Sequence, residues 1–290
     1  MSASIARGCA RACLVGLLLG GTVAACGGAG PGQGGRGMEA GAPIDLDGGA
    51  FNQCGVAAPP PKETGTCTAV TAPLITNFDD YDGGPAADYT YDVNGKPPAP
   101  NAVLGAIQHI GDGSDMDGGT SVISTDMVPG AGGTGYALQI SDTDATNWGG
   151  LLVFYFPQSG STPTCLNASS YQGVQFSIRG SSPSGNFGVS LRMLDTIPVA
   201  QGGLCDDATA TDCKDATIQL PLPADATTWT QIQLPWGALT PGIGSATSCI
   251  PVTGQNIVSL VVQPLMSYPP PNYTLQPGPY LLAVDDVELY

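Results

Sequence analysis

The stretch Tyr171-Gln-Gly-Val-Gln-Phe-Ser-Ile-Arg179 decides the fold class. Val174, Phe176 and Ile178 alternate with Gln175, Ser177 and Arg179, and side chains two apart on an extended strand share a face. One face is apolar and belongs against a core; the other is polar and belongs in water. The next run repeats the pattern, with Phe187, Val189, Leu191 and Met193 opposite Ser190 and Arg192. Around Trp229 it recurs, with Ile232 and Leu234 opposite Trp229, Gln231 and Gln233. The alternation predicts one outward surface built from these three segments and carrying Arg179, Arg192, the glutamines and the tryptophan.

Working outward, similar runs fall at 74–78, 103–110, 121–127, 136–141, 151–156, 172–179, 187–194, 216–220, 230–234, 257–263 and 280–289, each bounded by Gly, Pro, Asp or Ser. That spacing is the signature of antiparallel strands in a sandwich. The 42 Gly and 26 Pro of the 290 residues argue against long helices. The fold expected is therefore all-β, a two-sheet antiparallel β-sandwich of ten or eleven strands, preceded by a signal peptide and a disordered tether.

Eight Lys+Arg against 24 Asp+Glu give a formal charge of -16. Too few cations are present to neutralise a phosphate backbone, so nucleic acid is excluded as a partner. The single histidine, His109, sits in the apolar run Ala-Ile-Gln-His-Ile and reads as a strand residue rather than a general base. Glycosidases need two positioned carboxylic acids, yet 73–290 holds one glutamate, Glu288, and no catalytic glutamate pattern. The stretch Gly111-Asp-Gly-Ser-Asp-Met-Asp-Gly-Gly119 puts Ile123 or Asp126, not the glutamate of an EF-hand, at position twelve and reads as a solvated turn. No catalytic residue is expected.

At the N-terminus, Arg7 and Arg11 precede an apolar run ending in Val23-Ala-Ala-Cys26. The run is too short to span a bilayer. Small residues before a cysteine resemble a lipobox, which makes 1–25 a lipoprotein signal peptide and Cys26 the lipidated first residue of the mature chain. Membrane contact is then through the lipid alone, and Gly27 after the cysteine points to the outer membrane of a bacterial envelope, on its periplasmic or external side. Residues 26–72 read as a Gly/Pro-rich linker unable to bury enough surface to fold, and the folded domain is expected over 73–290. Of nine cysteines, Cys9, Cys13 and Cys26 leave six, which outside the cytosol read as three disulfides. Pairing short-loop neighbours joins Cys54 with Cys67 and Cys205 with Cys213, leaving Cys165 with Cys249.

Six pieces occur in an order that resembles jelly-roll carbohydrate-binding modules, nearest to family 11. They are Leu74-Ile-Thr-Asn-Phe-Asp-Asp80, Gly135-Tyr-Ala-Leu-Gln-Ile140, Trp148-Gly-Gly150, Tyr171-Gln-Gly-Val-Gln-Phe-Ser-Ile178, Trp229-Thr-Gln-Ile-Gln-Leu-Pro-Trp236 and Val284-Asp-Asp-Val-Glu-Leu289. The resemblance implies a jelly roll, a structural calcium near the chain ends, and glycan binding in a shallow groove on one sheet. Asp285 shares parity with Val287 and Leu289, so it is expected to point inward, where an unpaired carboxylate is costly. A calcium ion held by Asp285 with Asp79 and Asp80 would neutralise it; a hydrogen-bonded loop cap is the alternative. Asp286, on the opposite parity, is the secondary choice.

Planar amides and guanidinium groups pair with neighbouring sugar hydroxyls, and aromatic rings cover the C–H face of a pyranose. Arg179, Arg192, Gln231 and Gln233 are the polar candidates, and Trp148, Tyr155, Tyr268 and Tyr273 the rings. Trp229 and Trp236 read as framework packing. The function expected is a lipid-anchored envelope protein with a non-catalytic polysaccharide-binding β-sandwich. The alternatives are a structural or adhesive envelope protein lacking glycan binding and, behind both, a glycan-degrading enzyme.

Overall fold

The computed structural model describes residues 41–45, 67–79, 104–111, 124–156, 164–205, 213–245, 248–265 and 276–290. Among the expected site residues, Cys26, Cys54, Asp80, Tyr268 and Tyr273 lie outside them, as do the signal region and most of the linker. The described residues fall in one unit, Met38–Tyr290.

Each of the eleven apolar runs becomes a strand, and the strands form two sheets. The first sheet runs β1 (Gly41–Asp45), β12 (Thr230–Pro235), β9 (Gly173–Ser181), β16 (Gly278–Leu289), β6 (Tyr136–Ala145) and β5 (Ser124–Pro129), with β3 (Leu74–Thr76) on the C-terminal part of β16. The second runs β11 (Ala216–Pro221), β10 (Asn186–Met193), β15 (Ile257–Pro264), β7 (Gly150–Tyr155) and β4 (Ala106–Gly111), with β8 (Leu166–Asn167) on β15 and β2 (Thr68–Ala69) on β8. A small hairpin of β13 (Gly242–Ser245) and β14 (Ser248–Ile250) completes the set. Pairing is antiparallel except for β1 with β12 and β2 with β8, which are parallel. Helical structure among the described residues is limited to short 3-10 turns.

The inward sets are those the alternation picks out. Val174, Phe176 and Ile178 from the first sheet and Phe187, Val189, Leu191 and Met193 from the second are all buried in one core. Phe176 meets Phe187 edge to face with centroids 6.3 Å apart, and Phe78 meets Phe154 at 6.5 Å. Fully burying such a ring contributes roughly 1.5–3 kcal/mol, so these contacts between sheets hold the two layers together. Trp236 is buried and donates its indole N–H to the Tyr171 carbonyl at 2.9 Å, the framework role expected of it. Gly254 lies against this indole at φ 76°, where an added Cβ would come within 2.6 Å of Trp236 Nε1.

Two expectations are corrected. Ordered structure begins before Pro73: β2 precedes it, and β1 lies inside the segment read as unfolded linker, because an edge strand gains its hydrogen bonds from the neighbour it joins rather than from a core of its own. Only one of the expected disulfide pairings survives. Cys205 pairs with Cys213, but Cys67 pairs with Cys165, which overturns both Cys54 with Cys67 and Cys165 with Cys249. The reason is tertiary. β2 lies parallel to β8 with Thr68 opposite Leu166, so the cysteines just before them stand side by side with Cα atoms 4.7 Å apart despite a separation of 98 residues. Cys249 is also disulfide-bonded.

Candidate functional site

The outer face of the first sheet gathers Gln175 and Arg179 on β9 with Gln231 and Gln233 on β12. Gln233 stands opposite Gln175, and Gln175 opposite Glu288 on β16. The three form a transverse ladder in which the Gln233 amide donates to Gln175 at 2.9 Å and the Gln175 amide donates to Glu288. Arg179 lies over the Trp229 ring, 4.7 Å from its centroid. Gln233, Gln175 and Glu288 are thus hydrogen-bonded to one another, and Arg179 is stacked on Trp229.

The outer face of the second sheet is built differently. Cross-strand register aligns Arg192 on β10 with Ser259 on β15 and Tyr155 on β7, and Asp215 sits just before β11 beside Arg192. The next row across the strands is Thr217, Ser190, Val261, Val153 and Gln108. A third row holds Gln219, Gly188 and Gln263, with Leu265 packed over Gly188. The middle row carries mostly smaller side chains, Thr217, Ser190, Val261 and Val153, between the row of Arg192 and Tyr155 and the row of Gln263. Gln263 donates to the carbonyl of Trp148, whose ring is half-exposed.

The polar atoms of this row are not all paired. Asp215 Oδ2 lies 3.7 Å from Arg192 Nε, an ion pair too long for a hydrogen bond, and neither Arg192 Nε nor the Ser259 hydroxyl has a hydrogen-bond partner although both are buried. Leaving such a group unsatisfied costs about 1–3 kcal/mol. Tyr155 donates to the Gln108 side-chain oxygen at 3.1 Å, and burial pushes its phenol pKa up, with Arg192 opposing. Burial also raises the Asp215 pKa, against the Thr196 hydroxyl that donates to it at 2.8 Å and the nearby Arg192.

The single outward surface predicted from alternation therefore divides. Arg179, Gln231 and Gln233 lie on one sheet, and Arg192, Tyr155 and Trp148 belong to the other or its rim. The turn between β9 and β10, closed by Gly185 N–H to the Ser182 carbonyl, carries the chain from one layer to the other, and alternation within a strand carries no information about that step. Asp215, Ser259 and Gln108 went unnoticed in the sequence. Ser259 had a signal: a lone hydroxyl on outward parity in the run Ile257-Val-Ser-Leu-Val-Val-Gln263. His109 is a β4 residue, as expected; its Nδ1 lies 3.3 Å from Thr125 on β5, linking the edges of the two sheets, and burial lowers its pKa.

Asp285 is buried, but not because it shares the inward parity of Val287. Val284 and Val287 are both in the core although three residues apart, a spacing supplied by a register shift against β9 between Asp285 and Glu288 and by Asp286 at φ 49°. Asp285 stands opposite outward-facing Ser177 and is covered by the β5–β6 loop. Its two oxygens accept the N–H groups of Ala131, at 2.7 Å, and Asp286, at 2.8 Å. Burial, with repulsion from Asp286 and Asp79, lifts its pKa to about 6 in spite of those bonds. Asp79 reaches the same loop because Gly135, at φ 63°, offers no Cβ; one added there would lie 1.6 Å from Asp79 Oδ1. Among the described residues no group of three or more His, Cys, Asp or Glu is arranged to hold a metal ion. Asp80, the third ligand expected for calcium, lies outside the described residues, and the two Asp285 oxygens accept backbone N–H groups.

No family model matches the chain, and no curated protein does. Several solved structures resemble it. The family 11 carbohydrate-binding module of the cellulosomal cellulase Lic26A-Cel5E of Clostridium thermocellum is 14% identical, covering 63% of this chain and 86% of that one at a TM-score of 0.36. A family 11 module from the same organism, in complex with a β-1,3-1,4-mixed-linked tetrasaccharide, is 13% identical, with 63% and 87% covered and a TM-score of 0.37. A family 30 carbohydrate-binding module is 12% identical, with 58% and 72% covered and a TM-score of 0.33. At such distances neither ligand nor residue role transfers from one chain to another.

Proposed function

We propose that this protein binds a polysaccharide, without cleaving it, across the outer face of the second sheet. One observation carries the reading: the part-exposed guanidinium of Arg192, flanked by Asp215, shares a cross-strand row with Tyr155. Ligand hydroxyls can pair with the exposed end of Arg192 and with Asp215, and the Tyr155 ring beside them suits the C–H face of a sugar. The row crosses strands about 4.8 Å apart, so an extended glycan laid along it meets one strand after another. The first sheet's face is the weaker candidate because Gln175 and Gln233 are hydrogen-bonded within the chain and Arg179 is stacked on Trp229.

The wider reading is of a module tethered to a bacterial outer membrane through a lipid on Cys26, facing either the periplasm or the exterior, with the signal pattern of 1–25 as its support. Calcium is not part of the binding reaction in this reading. Affinity electrophoresis of the full chain through gels containing neutral or acidic polysaccharides tests the proposal. Retardation abolished by Arg192→Ala or Tyr155→Ala, and kept by Arg179→Ala, is the expected result. Retardation by no polymer, or loss with Arg179→Ala alone, refutes it. Release of reducing sugar from a retarding polymer would refute the non-catalytic part.

A further inference from the structure

Between β10 and β11 the chain makes an excursion that ends in one carboxylate. From Leu194 it passes through two 3-10 turns, Leu194–Thr196 and Val199–Gln201, to Cys205, which is fully buried. Backbone bonds fix the excursion: Leu204 N–H to the Leu194 carbonyl at 2.8 Å, Cys205 N–H to Ile197 at 2.9 Å and Val199 N–H to Cys205 at 3.1 Å. The returning chain is tied to it twice. Cys213 is disulfide-bonded to Cys205, and two residues later Asp215 accepts the Thr196 hydroxyl. Thr196 is itself fixed at Met193, whose N–H its oxygen accepts at 3.1 Å and whose carbonyl, at 2.9 Å, shares the one hydroxyl proton with Asp215.

These ties place the Asp215 carboxylate beside Arg192 on this face, and at a cost, because burial there disfavours its charged form. Arg192 receives an ion pair but no hydrogen bond at Nε. With 37% of its side chain exposed while Nε is buried, the accessible part of Arg192 lies beyond the contact with Asp215. The face therefore presents a cation with a fixed anion at its flank.

We propose that Asp215 is the positioning and specificity-determining residue of this face, holding Arg192 in place and excluding saccharides that bear a negative charge. This rests on the face being a saccharide site. An uncharged sugar meets a donor and an acceptor side by side, an arrangement matched to adjacent hydroxyls. A uronate pairing with the exposed end of Arg192 shares that cation with the Asp215 carboxylate and is repelled by it, within a chain whose formal charge is -16.

The test has a ligand-free arm and a ligand arm. In the full chain labelled with 15N, the Arg192 Nε–H resonance is expected to be protected from exchange, and to shift and lose that protection in Asp215→Asn. Thr196→Val, which keeps the charge of Asp215 but removes its anchor, should give an intermediate loss. An Arg192 resonance identical in all three proteins overturns the positioning role. In gels containing mixed-linkage β-glucan or polygalacturonate, Asp215→Asn should raise retardation by polygalacturonate relative to glucan by about threefold or more, the scale of a part-exposed charge contact. An unchanged ratio overturns the specificity role. If neither polymer retards any form while the Arg192 resonance responds as expected, the saccharide reading fails and Asp215 remains the residue that positions Arg192.

Discussion

Replacing Asp285 by Asn tests whether a buried carboxylate, rather than a bound ion, governs the junction of β16 with the β5–β6 loop. The Asp285 pKa is raised to about 6 from 3.8. The folded protein therefore holds this proton more tightly than the unfolded chain does. The resulting contribution is fully present below about pH 4 and is lost as pH rises to about 6. At 1.36 kcal/mol per unit, the rise of about two units makes ionised Asp285 cost the wild type about 3 kcal/mol at pH 7.5. Asn cannot ionise, but it carries one acceptor oxygen where Asp285 offers two to the N–H groups of Ala131 and Asp286. That mismatch costs about 1–3 kcal/mol at every pH, so the informative quantity is the change in the stability difference with pH. Urea unfolding with disulfides intact, at intervals from pH 4 to 7.5 in chelator, should show the variant gaining about 2.5 kcal/mol on the wild type across the window. The double difference cancels the titration of groups remote from the substitution, Asp215 among them. A difference independent of pH, or one that favours the wild type increasingly as pH rises, refutes the reasoning. Adding calcium should change neither curve; a rise in wild-type melting temperature absent from Asp285→Asn would show a calcium ion held at Asp285.

Other outcomes follow from the same coordinates. Phe176→Ala, which empties space against Phe187 between the sheets, should cost about 3–5 kcal/mol in denaturant unfolding. Non-reducing proteolysis with mass spectrometry should recover Cys67 linked to Cys165, and a Cys54–Cys67 peptide would contradict the β2–β8 pairing. Removing that bridge, which spans 98 residues, should cost about 4–5 kcal/mol on the chain-entropy estimate. Gly254→Ala should destabilise and alter tryptophan fluorescence, since the added methyl must displace the Trp236 indole at an unfavourable φ; an unperturbed spectrum would argue against that packing.

What the sequence determined by itself was the set of strands and the inside of the molecule. Period-two alternation is a local property of an extended chain, so 172–179 and 187–194 announced both their conformation and their buried faces before any partner was known. Glycine and proline marked the ends of the runs for equally local reasons. What only the tertiary structure decided was which outward faces lie together. Arg179 and Arg192 carry the same alternation signal thirteen residues apart, yet the β9–β10 turn sends them to opposite layers, and a turn's destination depends on the pairing of strands distant in sequence. The Cys67–Cys165 bridge belongs to the same class, since the nearness of those residues arises from β2 joining β8. Asp285 falls between the two. Its burial was legible, but its direction was not, because the bulge at Asp286 inserts one residue into the count, and an inserted residue reverses every parity argument that crosses it.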